Sequence, residues 1–261
     1  MPATDLDLLL AAARDAGEIA MSHWREDPET ETKSDGTPVS EADIEVDTDL
    51  RRTLTAARPG YGWLSEETPD DPARLDRERC FIVDPIDGTR AYLSGQENWA
   101  LSLAVASGGT VTDAVIHMPA KGLTYVAGQG QGARLIVAGD AKSALSVTAT
   151  AGAEGARLIT SKGTYADRHW RDGVPGFSKH FRPSMAYRLA VVAQGRFDAM
   201  ITLRDAWEWD IAAGVLIAAE AGATVTDRRG AALRFNSPGR QTDGVLAANP
   251  ALHGEILSRL A

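Results

Sequence analysis

The chain has 261 residues, 44% of them hydrophobic, and a formal net charge of −9. That length and apolar content support a substantial core in one compact unit and exclude disorder as the default state. The acidic balance opposes binding to polymeric nucleic acid, whose affinity rests on many Lys and Arg contacts to phosphate, and a single cysteine, Cys80, rules out an internal disulfide.

Met1–Asp7 is acidic and the apolar stretch Leu8–Ala13 is interrupted by Arg14 and Asp15, so no targeting signal is expected and a cytoplasmic protein is the simplest reading. Thr4 followed by Asp7 marks a helix start, with Leu6, Leu9, Leu10, Ala13 and Ala20 at helical spacing. Lys33–Pro38 reads as a loop. Ser40 then caps a second helix with Val46, Leu50, Leu54 and Ala57 on its apolar side, and with Asp47 and Asp49 on a solvated face. Cys80–Val83 has strand character and ends at Asp84-Pro85, because proline cannot donate to a ladder; Cys80 itself reads as a small buried hydrophobe. Trp99–Ala106, Val111–Met118 and Thr124–Ala127 follow as strands of an antiparallel meander, joined by turns at Gly108-Gly109 and near Lys121-Gly122.

The glycine- and alanine-rich stretch Gly128–Gly155 carries no clear pattern, and a soft boundary near residue 145 divides the chain into 1–145 and 146–261. Beyond it strands and helices alternate: strand Arg157–Thr160, helix Met185–Ala193, strand Phe197–Leu203, helix Asp210–Ala221, strand Val245–Ala248 and a last helix from Pro250. The pattern is thus an antiparallel meander in the first half and alternating strands and helices in the second. Its longest apolar run, Ile211–Ala219, falls well short of the roughly 20 residues that cross a bilayer, so no membrane span is expected.

The most informative string is Asp84-Pro85-Ile86-Asp87-Gly88-Thr89. Two carboxylates three residues apart on a tight loop can point into one cavity, where they are costly unless a positive charge neutralises them. Oxygen ligands with no His or Cys nearby favour a hard cation such as magnesium. Gly88 lets the backbone approach a ligand, and N–H groups at a helix start beyond Thr89 can hold phosphate oxygens. A bare Asp-x-x-Asp-Gly is more often an ordinary turn.

The full string resembles the signature of the inositol monophosphatase superfamily, and three further segments resemble that family in the expected order: Pro38-Val39-Ser40-Glu41-Ala42-Asp43, Leu64-Ser65-Glu66-Glu67 and Trp209-Asp210-Ile211-Ala212-Ala213-Gly214. The resemblance implies an α/β fold, a layered αβαβα sandwich with an α+β N-terminal half and an α/β C-terminal half, often homodimeric, with two to three magnesium ions. Glu66, Asp84 and the main-chain carbonyl of Ile86 would hold one ion, and Asp84, Asp87 and Asp210 a second. A third would lean on Glu66. Metal ions so placed activate water and neutralise the leaving oxygen; Glu66 and Thr89, assisted by Asp43, would position or deprotonate the attacking water. Glu67 is read as a supporting or surface carboxylate.

The substrate implied is a small phosphate ester. Ser65, where inositol enzymes have glycine, resembles the 3′(2′),5′-bisphosphate nucleotidase branch, called CysQ in bacteria, and Arg90 after Thr89 adds to this. Ser184-Met185-Ala186-Tyr187-Arg188 stands where the nucleotidases have a glycine, serines and a lysine, so Arg188 would address a second phosphate; on the residues alone it is equally a surface residue of an amphipathic helix. Asp87, Gly88, Thr89, Arg188 and Asp210, with the Ile86 main chain, form the expected substrate side, and His169, His180, Arg182, Trp170 and Phe181 lie near it in sequence. The alternatives are an inositol-1-phosphate or histidinol-phosphate phosphatase and, in another class, a regulatory binding protein on a phosphatase fold. The positions of Arg182, Arg188 and Arg204 discriminate among the esters.

Overall fold

In the computed structural model, which describes residues 3–26, 28–33, 36, 38–138 and 141–261, the first two helices start in the same way. The Thr4 hydroxyl accepts from the Asp7 amide while the Asp7 carboxylate accepts from Thr4, and Ser40 and Asp43 repeat the exchange. Each reciprocal pair satisfies two orphan amides of a helix start. The helices are α1 (Asp5–His23) and α2 (Glu41–Ala57), separated by an antiparallel pair, β1 (Thr30–Thr32) and β2 (Pro38–Ser40). Ser34, Asp35 and Thr37 of the expected loop over Lys33–Pro38 lie outside the described residues.

Next come β3 (Gly62–Ser65), β4 (Arg79–Asp87), the short helix α3 (Thr89–Leu93), β5 (Ala100–Ser107), β6 (Thr110–Met118), β7 (Leu123–Gly128), β8 (Ala133–Val137) and β9 (Ala141–Ala144). The seven strands form one sheet in sequence order, parallel only between β3 and β4. Side chains alternate across it. Phe81, Val83, Leu101, Leu103 and Val115 pack with α1 and α2, and Ile82, Ala104, Ala114 and Ile116 face the opposite way.

The remainder is β10 (Arg157–Ile159), β11 (Ser178–His180), α4 (Met185–Ala193), β12 (Ala199–Thr202), β13 (Ala206–Trp207), α5 (Glu208–Glu220), β14 (Thr224–Thr226), β15 (Gln241–Thr242), β16 (Val245–Ala248) and α6 (Pro250–Arg259). Strands β11, β10, β12, β16 and β14, in that order, make a second sheet. Its Ile159, Met200 and Ala247 pack toward α4 and α5, and its Leu158, Ile201 and Leu246 toward Leu252 and Ile256 of α6. The layers are therefore α1/α2, first sheet, α4/α5, second sheet and α6. As the middle layer, α5 buries Ile211, Ala212, Ala213, Leu216, Ile217 and Ala218 rather than one stripe. Gly214 is where α4 comes closest, since a Cβ there would lie 2.6 Å from Leu189 Cβ. Gly214→Ala is expected to cost about 1–3 kcal/mol by overpacking, visible as a lowered thermal midpoint; an unchanged midpoint would show that α4 yields at no cost.

Three expectations change. The strand expected to stop at Asp84 continues to Asp87, because a register shift between the pairs Asp84–Ser102 and Asp87–Ala100 accommodates Pro85 without a donor. Asp47 is not solvated: it is only 6% exposed and accepts from Ser65 and Thr68. The stretch Gly128–Gly155 contains β8 and β9, which extend the meander. The second sheet is mixed: β16 runs antiparallel to both its neighbours.

Candidate metal centre

Three elements from distant parts of the chain converge at the irregular end of β4. Glu66 directly follows β3, whose parallel pairing with β4 sets Ser65 opposite Val83; Asp84 precedes the register shift; Asp210 lies in the first turn of α5. One carboxylate oxygen from each of Glu66, Asp84 and Asp210 lies within 4.8 Å of the others. Asp84 is 1% exposed and its Oδ1 has no hydrogen-bond partner among the described residues.

Burial, reinforced by the charges of Glu66, Asp87 and Asp210, pushes the Asp84 carboxyl well above its ordinary range. Burial and then Asp87 and Glu66 do the same to Asp210. Such a cluster repels itself, and a buried acceptor with no donor is costly. An all-oxygen donor set with an unpartnered buried oxygen fits a hard divalent cation such as magnesium.

Asp87 borders these three but is held differently. Its Oδ2 accepts from Ser184 Oγ and the Ala186 amide, both at 2.6 Å, at the start of α4. Burial raises its pKa to about 6 against these bonds and against the nearby Arg188 charge. Gly88 follows at φ +98°, where a Cβ would also stand 3.3 Å from the Asn98 carbonyl oxygen and 3.4 Å from the Ser184 nitrogen. The Thr89 hydroxyl lies 3.2 Å from the Ile86 carbonyl oxygen and 3.5 Å from Asp43 Oδ1. Asp43 accepts from the Ser40 amide at 2.8 Å and hydroxyl at 2.6 Å, and burial brings its pKa up to about 6.

Lys33 has no counterpart among the residues singled out from sequence. Its Nζ donates to Glu66 Oε1 at 2.9 Å and to Glu67 Oε1 at 2.7 Å. Burial disfavours the ammonium, but Glu66 and Glu67 outweigh it and raise its pKa. Glu67 is no surface group: its side chain is 4% exposed and burial pushes its pKa to about 7. A lysine 33 residues upstream of Glu66, in a loop without periodicity, leaves no local signal of this pairing.

Arg188 is buried too, so its surface reading does not hold. Its Nε donates to the Arg182 carbonyl at 2.6 Å and Nη2 to that of Pro183 at 3.3 Å, and its guanidinium lies 4.8 Å from the Phe181 ring centroid. Arg204 is exposed and its charge acts on Asp210 and Arg188. Arg182 instead lies over Phe197. Beside Phe181 opens a hollow of about 990 Å³ lined by Thr160, Lys162, Tyr165, Lys179 and His180. Phe181 is 54% exposed, whereas Trp170 is packed, its indole donating to the Thr164 carbonyl. Buried Cys80 donates to its neighbour's carbonyl, and burial pushes its thiol up to about 12. Among the described residues no helix is long and apolar enough to cross a membrane.

A sequence model of the inositol monophosphatase family matches residues 2–261. The chain is 33% identical to a histidinol-phosphatase of Mycobacterium tuberculosis over 98% of this chain and 97% of that one. It is 36% identical to an inositol-1-monophosphatase of Rhizobium meliloti, covering 84% and 80%, and 29% identical to a 3′(2′),5′-bisphosphate nucleotidase CysQ of Aggregatibacter actinomycetemcomitans, covering 87% and 86%. Among solved structures, an IMPase of Thermotoga maritima superposes with a TM-score of 0.82 at 28% identity, covering 97% of this chain and 95% of that one.

Proposed function

We infer that this chain, which belongs to the inositol monophosphatase family, is a metal-dependent phosphomonoester hydrolase whose metal is held by Glu66, Asp84 and Asp210. The observation that carries the metal assignment is the buried Asp84 carboxylate, with one oxygen unpartnered, beside two further carboxylates. In this reading Glu66, Asp84 and the Ile86 carbonyl would hold one of two to three magnesium ions, and Asp84, Asp87 and Asp210 would hold another. When bound, magnesium lowers the pKa of water and stabilises charge on the transferring phosphoryl group and the leaving oxygen.

The chain's own residues do the rest. Thr89, between the Ile86 carbonyl and Asp43, orients the attacking water, and Asp43 receives its proton through the Thr89 hydroxyl; a carboxylate with a pKa near 6 suits a base working near neutrality. The water oxygen bonds to phosphorus, the ester P–O bond breaks, and the leaving alkoxide takes a proton from solvent. Asp87, tied to Ser184 and Ala186, keeps the start of α4 against the site.

For the ester, the hollow beside Phe181 supports a leaving group with a flat ring, which stacks on an exposed aromatic better than a polyhydroxylated ring does. Lys162 and Lys179, which line it, suit a second phosphate, as in adenosine 3′,5′-bisphosphate. The second reading, histidinol phosphate, is favoured by the match along nearly the full length of a histidinol-phosphatase and by the use of Arg188 donors on main-chain carbonyls. Phosphate release from both esters and from inositol 1-phosphate, in parallel with magnesium, tests this. We expect kcat/KM for the bisphosphate to exceed that for inositol 1-phosphate by about tenfold or more, about 1.4 kcal/mol. Preference for histidinol phosphate would install the second reading, and preference for inositol 1-phosphate would remove both.

A further inference from the structure

The buried carboxylate of Asp47 has no place in the chemistry above. It sits one helical turn after Asp43, so the two share a face of α2. Asp43 faces Thr89; Asp47 faces the turn that carries Glu66. Ser65 Oγ donates to Asp47 Oδ1 and Thr68 Oγ1 to Asp47 Oδ2, each at 2.5 Å. The two donors bracket Glu66 and Glu67 in sequence. Trp63 Nε1 in turn donates to Thr68 Oγ1 at 3.2 Å, and the Glu67 amide to Ser65 Oγ at 3.4 Å.

We propose that Asp47 is a positioning residue for metal binding: by holding Ser65 and Thr68 it clamps both ends of the turn that carries Glu66, and so fixes Glu66 beside Asp84 and Asp210. The inference rests on the metal-dependent reading. Glu66 is repelled by the cluster it joins, since its charge helps to raise Asp84 and Asp210, and its side chain is 24% exposed, with solvent as the alternative destination. Lys33 opposes that escape by charge, and Asp47 opposes it by fixing the chain on both sides through charge-assisted hydrogen bonds. Ser65 is then needed as a donor, which a glycine would not supply.

Calorimetric titration of Mn²⁺ into metal-stripped protein reads this without relying on turnover. Asp47→Ala is expected to weaken binding about 10–100-fold, the range seen when groups supporting metal ligands are removed. Asp47→Asn should recover part of the loss, and adding Thr68→Val to Asp47→Ala should weaken binding little further, because both remove the same hold. A folded Asp47→Ala protein that binds Mn²⁺ within about twofold of the native chain overturns the inference and leaves the phosphatase reading intact. If Asp47→Ala does not fold, Ser65→Ala and Thr68→Val carry the test, and unchanged affinity in both overturns it. A native chain that takes up no Mn²⁺ overturns the phosphatase reading and this inference together.

Discussion

Asp84→Asn is expected to lower magnesium-dependent kcat/KM by roughly 10³-fold or more, about 4 kcal/mol, and at the same time to raise the thermal midpoint of the metal-free protein. Both follow from one side chain. Asp84 is buried with an oxygen that has no donor, and it stands beside Glu66 and Asp210, so the native carboxylate is useful only with a cation in place. Without one, the folded chain must either keep a repelled charge or take up a proton, and an amide avoids both costs. The opposing trend of function and stability is a general mark of active-site charge. Phosphate release and thermal melts in EDTA and in magnesium check the pair of effects. Retention of more than about a tenth of native activity, or a lower midpoint in EDTA, would contradict the assignment.

Metal-free native protein is expected to lose stability as pH rises from about 6.5 to about 8.5, and magnesium is expected to restore it. Burial raises Glu67 to about 7, and Asp84 and Asp210 well above their ordinary value, so these groups lose protons in that window; Asp43 and Asp87, raised to about 6, have largely done so below it. A carboxyl whose folded pKa is raised binds its proton more tightly in the native state. Its contribution is present below the unfolded value and is lost as pH climbs through the folded one, at roughly 1.4 kcal/mol per pH unit for each such proton. Groups whose folded pKa is lowered slope the other way at lower pH. Burial lowers His117 to about 4, so it favours folding as pH rises from there toward the ordinary histidine range. Asp198 is buried, but hydrogen bonds from Arg157 outweigh that and lower its pKa, so its stabilisation is lost only in acid. The window above about pH 6.5 therefore isolates the acidic cluster. Thermal melts in EDTA across it, repeated with magnesium, give the slope; a midpoint that rises with pH in EDTA would contradict it.

Local signals in the sequence carried far. Thr4 with Asp7 and Ser40 with Asp43 mark two helix starts because a capping box is complete within four residues. The string from Asp84 to Thr89 marks the site because its geometry is set by one irregular strand end. What was illegible depends on partners far along the chain. Asp47 follows Asp43 by one turn and looks like any solvated helix carboxylate until Ser65 and Thr68 arrive from β3 and beyond. Lys33 acquires its meaning only from Glu66 and Glu67. Arg188 reads as one face of an amphipathic helix, yet every residue of α4 is buried, because the helix is enclosed between two sheets. Pro85 signals the end of a strand by its missing donor, whereas a shift in register lets the strand continue through it.

Anomalous diffraction from crystals of the chain soaked in Mn²⁺ tests most directly whether Glu66, Asp84 and Asp210 converge on a divalent cation. The expected result is a peak among these three side chains, roughly 2–2.5 Å from an Asp84 carboxylate oxygen and from at least one oxygen of its neighbours. No peak there in well-ordered, fully soaked crystals, or a peak confined to other residues, would contradict it.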